Sequence, residues 1–180
     1  MSDAALVVAL ANAQADRRPT HARVAMSHDA LADAASASRL LGPFLGRRIG
    51  AKELAAVRAL QTAVVAIVDA LIDGSPPPLE LLNGLAAKEP TIARLKRQRD
   101  GTLRATLQPK HASAAATLVV AAIRELGELD PSRLRRCARP ECTLVFYDTT
   151  RSATQRWHAE RPCGLRERQR RYRTSKPSTR

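Results

Sequence analysis

A mainly α-helical fold with one small β-hairpin, followed by a small C-terminal module of different character, is what this sequence predicts. Three observations carry that expectation. Aromatic residues make up only 3% of the 180 residues, so the core must be built from Ala, Leu, Val and Ile, a mixture that favours helix bundles over sandwiches. Apolar residues recur at spacings of three and four through much of residues 1–130, the period of a half-buried helix. Charge is uneven: residues 131–180 hold 14 Lys/Arg against 4 Asp/Glu, whereas residues 1–130 hold 16 against 13. The division expected is a helical domain at 1–130, a second module at 131–173 and a basic tail at 174–180 that lacks apolar anchors and is read as disordered.

An Ala-rich helix is expected from Asp3 to about residue 15, with Leu6, Val7 and Leu10 inward, ended by Arg17-Arg18-Pro19. A second is expected from Ser27, burying Leu31, Leu40 and Leu41 and stopping before Gly42-Pro43. The firmest runs from Ala51 to Asp73: Val57, Leu60, Val64, Ile67, Val68 and Leu71 form one stripe, and Gly74 follows. After the stiff Ser75-Pro76-Pro77-Pro78 connection, a short helix is expected from Leu79 to Lys88, closed by Pro90. Residues 92–99 and 102–107 flank Asp100-Gly101, a turn dipeptide, and read as a β-hairpin. A last core helix runs from His111 to Leu126, offering Leu118, Val119, Ala122, Ile123 and Leu126, and Asp130-Pro131 marks the change of module.

All three cysteines of the chain, Cys137, Cys142 and Cys163, fall with His158 inside 27 residues. An odd, clustered cysteine count suits reduced thiolates on a metal better than a disulfide framework. Two pairs, each with four intervening residues, are separated by fifteen. That spacing offers Zn2+ a tetrahedron while closing a single long loop. Four protein ligands leave no open position, so the zinc is read as structural and not catalytic. The order of elements suggests a treble-clef-like hairpin and helix: a knuckle with the first pair, Val145–Tyr147 and residues 155–158 as paired strands, and Cys163 leading into a helix. Leu144, Phe146 and Trp157 are nearly the only large apolar groups there, with Gly164 after the last ligand, so metal must supply much of the module's stability.

From Leu165 onward, Arg166, Arg168, Arg170, Arg171 and Arg173 form a basic helix whose start is fixed by Cys163, with Arg166, Arg170 and Arg173 on one face. Such a helix fits a DNA major groove, where guanidinium forks address guanine edges or phosphates. Arg135, Arg136, Arg151 and Arg156 would broaden the basic surface if they point the same way. Nothing in residues 1–130 assembles a catalytic set: His21, His28 and His111 are isolated, and no phosphate loop or nucleophile elbow is present. No uninterrupted apolar run approaches the ~20 residues of a membrane helix, and Met1-Ser2-Asp3 lacks a basic leader, so a cytoplasmic protein with no membrane partner is expected.

These residues resemble the CGNR-type zinc finger, the C-terminal half of a bacterial family of stress-induced transcription regulators whose N-terminal half is the helical ABATE domain. Phe146-Tyr147-Asp148-Thr149-Thr150-Arg151 is similar to the family's Phe-x-Asp-Thr-Ser-Arg, and Arg156-Trp157-His158 to its Arg-Trp-Cys. The N-terminal likeness rests on Leu10-Ala11-Asn12, the Lys52–Gly74 helix and the Asp100-Gly101 turn. Two departures stand out: His158 replaces the family's third cysteine, and Leu165 replaces the asparagine of the name-giving motif. Arg168 falls where the family places lysine. The resemblance implies a non-enzymatic, zinc-dependent regulator of transcription. Double-stranded DNA would be met by the helix arginines with Arg151 and Arg156, and residues 1–130 would serve as a sensor of an unnamed small-molecule effector or as a homodimerisation unit. Two other readings stay open: an RNA-binding accessory protein using Tyr147, Trp157 or Tyr172 to stack on bases, and an adaptor whose zinc module docks on an acidic protein.

Overall fold

The computed structural model describes residues 4–14, 29–88, 90–111 and 113–175. Helix α1 spans Ala5–Asn12, α2 Ala34–Leu45 and α3 Leu54–Ile72, the last entered through a 3-10 turn at Ala51–Glu53. Helix α4 follows at Glu80–Ala87, then strands β1 (Thr91–Arg97) and β2 (Leu103–Pro109), and α5 at Ala114–Glu128. The C-terminal part holds β3 (Leu134–Arg136), β4 (Val145–Tyr147), a π-helical turn at Glu160–Leu165 and α6 at Arg166–Ser175.

Helix α3 is the scaffold, packed by α1, α4 and α5. Val57, Leu60, Val64, Ile67 and Val68 are buried as their spacing requires, Leu71 is packed at the edge, and the helix ends at Asp73 before Gly74, whose φ of 68° suits a glycine. Length and composition would let residues 51–72 cross a membrane; here that apolar face is the centre of the helical core. The free N–H groups opening α1 are met by α5: Glu125 accepts from Val7 N at 3.0 Å and from Leu6 N at 3.4 Å. Helix α5 is capped by the Ser113 hydroxyl on Ala116 N (3.0 Å) and by Glu53, which accepts from Ala114 N at 2.7 Å.

The β1–β2 hairpin pairs Thr91 with Pro109 through Arg97 with Leu103. Its turn uses Gly101 at φ 83° and Asp100, whose carboxylate accepts from Thr102 N at 2.9 Å. Strand β2 leans on α5.

Several boundaries differ from the sequence expectation. Helix α2 begins after Asp33, whose carboxylate accepts from Ser36 N at 2.7 Å and so forms the cap assigned to Ser27; Ser27 lies outside the described residues, as does Arg17-Arg18-Pro19. The helix runs through Gly42-Pro43 to Gly46, whose N–H closes on Gly42 O at 2.8 Å. Proline in a last turn forfeits one hydrogen bond without breaking the turns before it. Helix α5 starts at Ala114 and continues through Gly127, and Ile123 is 39% exposed rather than core. Strand β4 pairs with β3, not with residues 155–158. Thr174 and Ser175, assigned to the tail, finish α6.

One consequence shapes the C-terminal part. Leu134, Val145 and Tyr147 share one face of the β3–β4 hairpin and belong to the same apolar cluster as α1, α3 and α5. The hairpin carrying the first two cysteines is therefore built onto the helical core.

Candidate metal centre

The pairing of Leu134 with Tyr147 and Arg136 with Val145 continues one step further, where Cys137 N donates to Leu144 O at 2.9 Å. Residues 137–144 thereby become the hairpin's loop, tightened by Cys142 N on Arg139 O at 2.9 Å. The first ligand pair thus sits on a knuckle whose base is fixed in the core. The returning chain is drawn in by Ala138 N, which donates to Arg156 O at 2.8 Å, and this brings His158 over the loop. The π-helical turn then places Cys163 at the mouth of α6.

One ligand atom from each of Cys137, Cys142, His158 and Cys163 lies within 4.8 Å of every other. His158 presents Nδ1, which is 3.3 Å from Cys142 Sγ and 3.6 Å from Cys163 Sγ. Around zinc, Zn–S of about 2.3 Å and Zn–N of about 2.05 Å at the tetrahedral angle separate N and S by about 3.6 Å, so the donors already stand at coordination distance. The three cysteines are buried, with Leu144 and Trp157 packed against them. Burial pushes the Cys142 thiol up to about 12, and the neighbouring Cys137 and Cys163 add to that effect. A thiol in such a place ionises when a cation replaces its proton. Three thiolates on Zn2+ leave a net charge of −1, and Arg139, whose pKa is raised foremost by its hydrogen bond to Glu141 and further by Cys163 and Cys142, is a guanidinium within the field of the centre.

Asp148, a residue the sequence reading quoted only as part of a motif, organises the segment between the ligand pairs. It is fully buried and accepts from Thr150 N at 2.9 Å, from the Thr150 hydroxyl, and from Gln155 N at 2.8 Å. Burial alone would raise its pKa; the Thr150 and Gln155 hydrogen bonds outweigh burial and hold the carboxyl below the ordinary carboxylate range. Arg133 donates to the carbonyls of Asp148 (2.9 Å) and Thr150 (2.8 Å), and Arg135 to Ala153 O (2.7 Å). Asp148 followed two residues later by Thr150 was a legible turn signal; the arginine–carbonyl bonds join residues distant in sequence and carry none.

The arginines divide. Arg135 serves the loop, and Arg136 pairs with Asp69 at 2.8 Å and with Asp73 on α3, so neither adds to an outward basic face. Arg156 and Arg168 lie over the Trp157 ring, 5.5 and 5.8 Å from its centre, and Arg168 is ion-paired with Glu160. Gly164 makes room for that pair, because a Cβ there would meet the Glu160 carboxylate at 2.5 Å. Glu167, 3% exposed, takes Arg170 at 2.7 Å and Arg171 at 3.2 Å, and those hydrogen bonds, Arg170's foremost, hold its pKa at about 2. Arg166, Arg173 and Arg151 are exposed, as is Leu165 at 44%, while Phe146 is buried on the strand face opposite Val145 and Tyr147.

A small helical protein extended by a hairpin and a helix around a closed Cys3His centre is what these features define: a structural zinc protein. Residues 133–176 match the CGNR zinc finger, and residues 4–129 match the ABATE family, described as "Putative stress-induced transcription regulator". The second match alone covers well over half of the chain, which belongs to that family. Neither description is that of an enzyme. A search of curated proteins returns no match. The donor set fits zinc, and His158 in place of a cysteine keeps the tetrahedron intact.

Proposed function

We propose that this protein is a cytoplasmic, DNA-binding transcription regulator in which structural zinc orders the basic helix α6 against duplex DNA. The observation that carries the reading is the joining of α6 to the metal centre: five arginines stand against one acid, Glu167, on a helix entered directly from the π-helical turn that contains the ligand Cys163. A helix held in that way keeps its cationic side in one direction without ordering cost at the moment of binding. Arg166, Arg170, Arg171 and Arg173 supply the contact, with Arg151 on the adjoining loop, while Arg156 and Arg168 brace Trp157. Three thiolates and an imidazole occupy the tetrahedron, so the metal has no position for a substrate and no reaction is assigned to it. Residues 1–130 act as the sensing and homodimerising part, which would set the spacing of two DNA half-sites.

The test is selection of genomic fragments by the zinc-loaded full chain, followed by titration of an enriched duplex and its scrambled counterpart. Enrichment of defined sites supports the regulator. An RNA reading has one feature in its favour, Tyr172, an aromatic ring 62% exposed among the arginines of α6 and of the kind that stacks on unpaired bases; tighter binding to single-stranded RNA than to any duplex would select it.

A further inference from the structure

We infer that the free edge of strand β1 is a docking site for an extended acidic segment of a partner protein, one in which Asp or Glu alternates with apolar residues. The site lies in the helical part of the chain, apart from α6, and goes beyond the DNA-binding reading. The ladder fixes which backbone groups are open. Opposite residues of an antiparallel pair alternate between those that exchange hydrogen bonds and those that do not. Lys110 N donates to Pro90 O at 2.7 Å and Gln98 N to Thr102 O at 2.8 Å, so in the same register Ile92, Arg94 and Lys96 turn their backbone groups to β2. The N–H and C=O groups of Thr91, Ala93, Leu95 and Arg97 therefore point away from it. Among the described residues the sheet holds these two strands alone, β2 leans on α5, and all seven residues of β1 are exposed. Such a row is a template for one more strand, and a two-stranded ribbon gains stability by acquiring it.

The two faces of the ribbon determine what that strand must carry. Residues directly opposite, and those two apart, share a face. Ala93, Leu95, Leu103, Ala105 and Leu107 fall on one side and Arg94, Lys96 and Arg104 on the other. Leu95, Leu103 and Leu107 are 71%, 65% and 63% exposed, an apolar strip open to solvent. On the second side Lys96 stands opposite Arg104, a like-charge pair that costs stability. Among the described residues none of Arg94, Lys96 and Arg104 forms a side-chain hydrogen bond or ion pair. Asp100, the hairpin's one acid, is engaged with Thr102 in the turn, and Glu128 of α5, which borders a cleft with Arg104, is paired with no cation.

A strand added to β1 sets its alternate side chains beside these two faces. Acidic residues next to Arg94 and Lys96 offset the cations, and apolar ones next to Ala93 and Leu95 extend over the leucine strip. The same charges turn other occupants away. A second copy pairing through β1 would bring Arg94, Lys96 and Arg97 against their like. Phosphates of a nucleic acid would meet the cations, but they have no donor for the open carbonyls and no cover for the leucines.

The experiment uses the zinc-loaded full chain and a capped peptide in which Glu alternates with Val, read by fluorescence titration and by amide exchange resolved by residue. Saturable binding is expected, with exchange slowed at the N–H groups of Thr91, Ala93, Leu95 and Arg97 and unchanged on α6. A peptide of the same composition with its glutamates in one block should bind about tenfold more weakly. Ala93→Pro removes an N–H that faces the open edge and leaves the β1–β2 bonds in place, so it should abolish the slowed exchange. Arg94→Glu combined with Lys96→Glu should weaken the Glu peptide by about tenfold or more and favour a Lys–Val counterpart, an exchange of preference that a misfolded chain cannot produce. Equal affinity for the blocked peptide, or binding that leaves the four amides unprotected, overturns the docking edge. Protection of those amides that grows with protein concentration in the absence of peptide assigns the edge to a second copy and overturns the acidic partner. Loss of duplex affinity in the charge-reversed chain, with no peptide bound by the parent, assigns the ribbon to DNA and overturns it equally.

Discussion

The Asn12 carboxamide satisfies both backbone groups of Val145: Nδ2 donates to its carbonyl at 2.9 Å and Oδ1 accepts from its N–H at 2.9 Å. An amide used this way imitates a neighbouring strand. It fastens the end of α1 to β4, 133 residues later, beside the buried Leu134 and Val145 and the half-buried Tyr147. Other ties run from the helical part to the same hairpin: Asp130 N donates to the Tyr147 hydroxyl at 3.1 Å, and Arg136 pairs with Asp69 of α3 and with Asp73, that helix's C-cap. The hairpin that carries the zinc knuckle is thereby fastened to α1, α3 and the end of α5.

Replacing Asn12 by Ala should cost about 2–4 kcal/mol, since it leaves a buried N–H and a buried C=O unpaired at once. Asn12→Asp keeps the acceptor for Val145 N but turns a carboxylate oxygen toward the Val145 carbonyl, so a loss at least as large as that of Asn12→Ala is expected. Urea unfolding of the zinc-loaded chain measures both. Equal stability of Asn12→Ala and the parent would remove the clamp from the energetics.

Zinc removal should melt the chain from about residue 148 onward while leaving the helical core folded. Metal supplies the stability of a segment whose own apolar contacts reduce to Leu144 and Trp157 around the cysteines, whereas β3 and β4 are held by the shared core. Amide exchange after chelation would show protection retained on α3 and α5 and lost on α6. His158→Cys should retain one equivalent of zinc and His158→Ala should bind it more weakly, read by competition with a chelating dye. Full unfolding on chelation would show the core to depend on the metal.

Why some of this was legible in sequence, and some not, follows from the range of the interactions. The Val57–Val68 stripe, the Gly74 stop, the Asp100-Gly101 turn and the four metal ligands are set by local spacing, and each stands where expected. The start of α2 was missed because Ser27 and Asp33 are equally good caps on paper. The partner of β4 was missed because a three-residue strand has no register of its own; Leu134 and Tyr147 acquire theirs by burial against the helices. The arginines would form one basic surface if they pointed the same way, yet Arg135 is taken up by loop carbonyls and Arg136 and Arg168 by carboxylates whose nearness depends on the finished fold.

Asp148→Asn should destabilise the loop between the ligand pairs by about 2–4 kcal/mol. An amide nitrogen in place of one carboxylate oxygen would face the Thr150 or the Gln155 donor, leaving a buried donor without an acceptor. Because Gln155 leads directly to Arg156 and His158, zinc affinity should fall as well. Zinc competition at pH 7 decides it; parent-like affinity would confine Asp148 to stability alone.

Glu53 gives a pH signature. Its carboxylate pairs with Arg47 at 2.6 Å and also accepts from Ala114 N and Gly50 N. These bonds, the Arg47 one foremost, hold its pKa at about 2 against an ordinary 4.5. A depressed carboxyl stabilises the fold fully above the unfolded value and loses that contribution as pH falls from about 4.5 through about 2. With solvent screening of the partly exposed pair, Glu53→Gln should cost about 2 kcal/mol at pH 7, little near pH 2, and nothing below it. Acid release of zinc affects parent and variant alike, so the difference between their urea midpoints isolates Glu53. A difference independent of pH would reject the assignment.

Gly164 supplies a test of how α6 is braced. Its α-carbon lies under the Glu160 carboxylate, which holds Arg168 against Trp157. A methyl group there forces Glu160 aside, and because that side chain is 61% exposed and flexible, the expected cost of Gly164→Ala is about 1 kcal/mol or less. The cost should depend on its neighbour: in a Glu160→Ala background the methyl meets open space, and the substitution becomes neutral or slightly favourable through the unfolded state. A double-mutant cycle on thermal unfolding measures that coupling. Trp157 fluorescence follows the same cycle, shifting in Gly164→Ala as Arg168 leaves the ring. An additive cycle with unchanged fluorescence would mean that Arg168 stays on Trp157 without Glu160, and that the glycine is there for the turn after Cys163 alone.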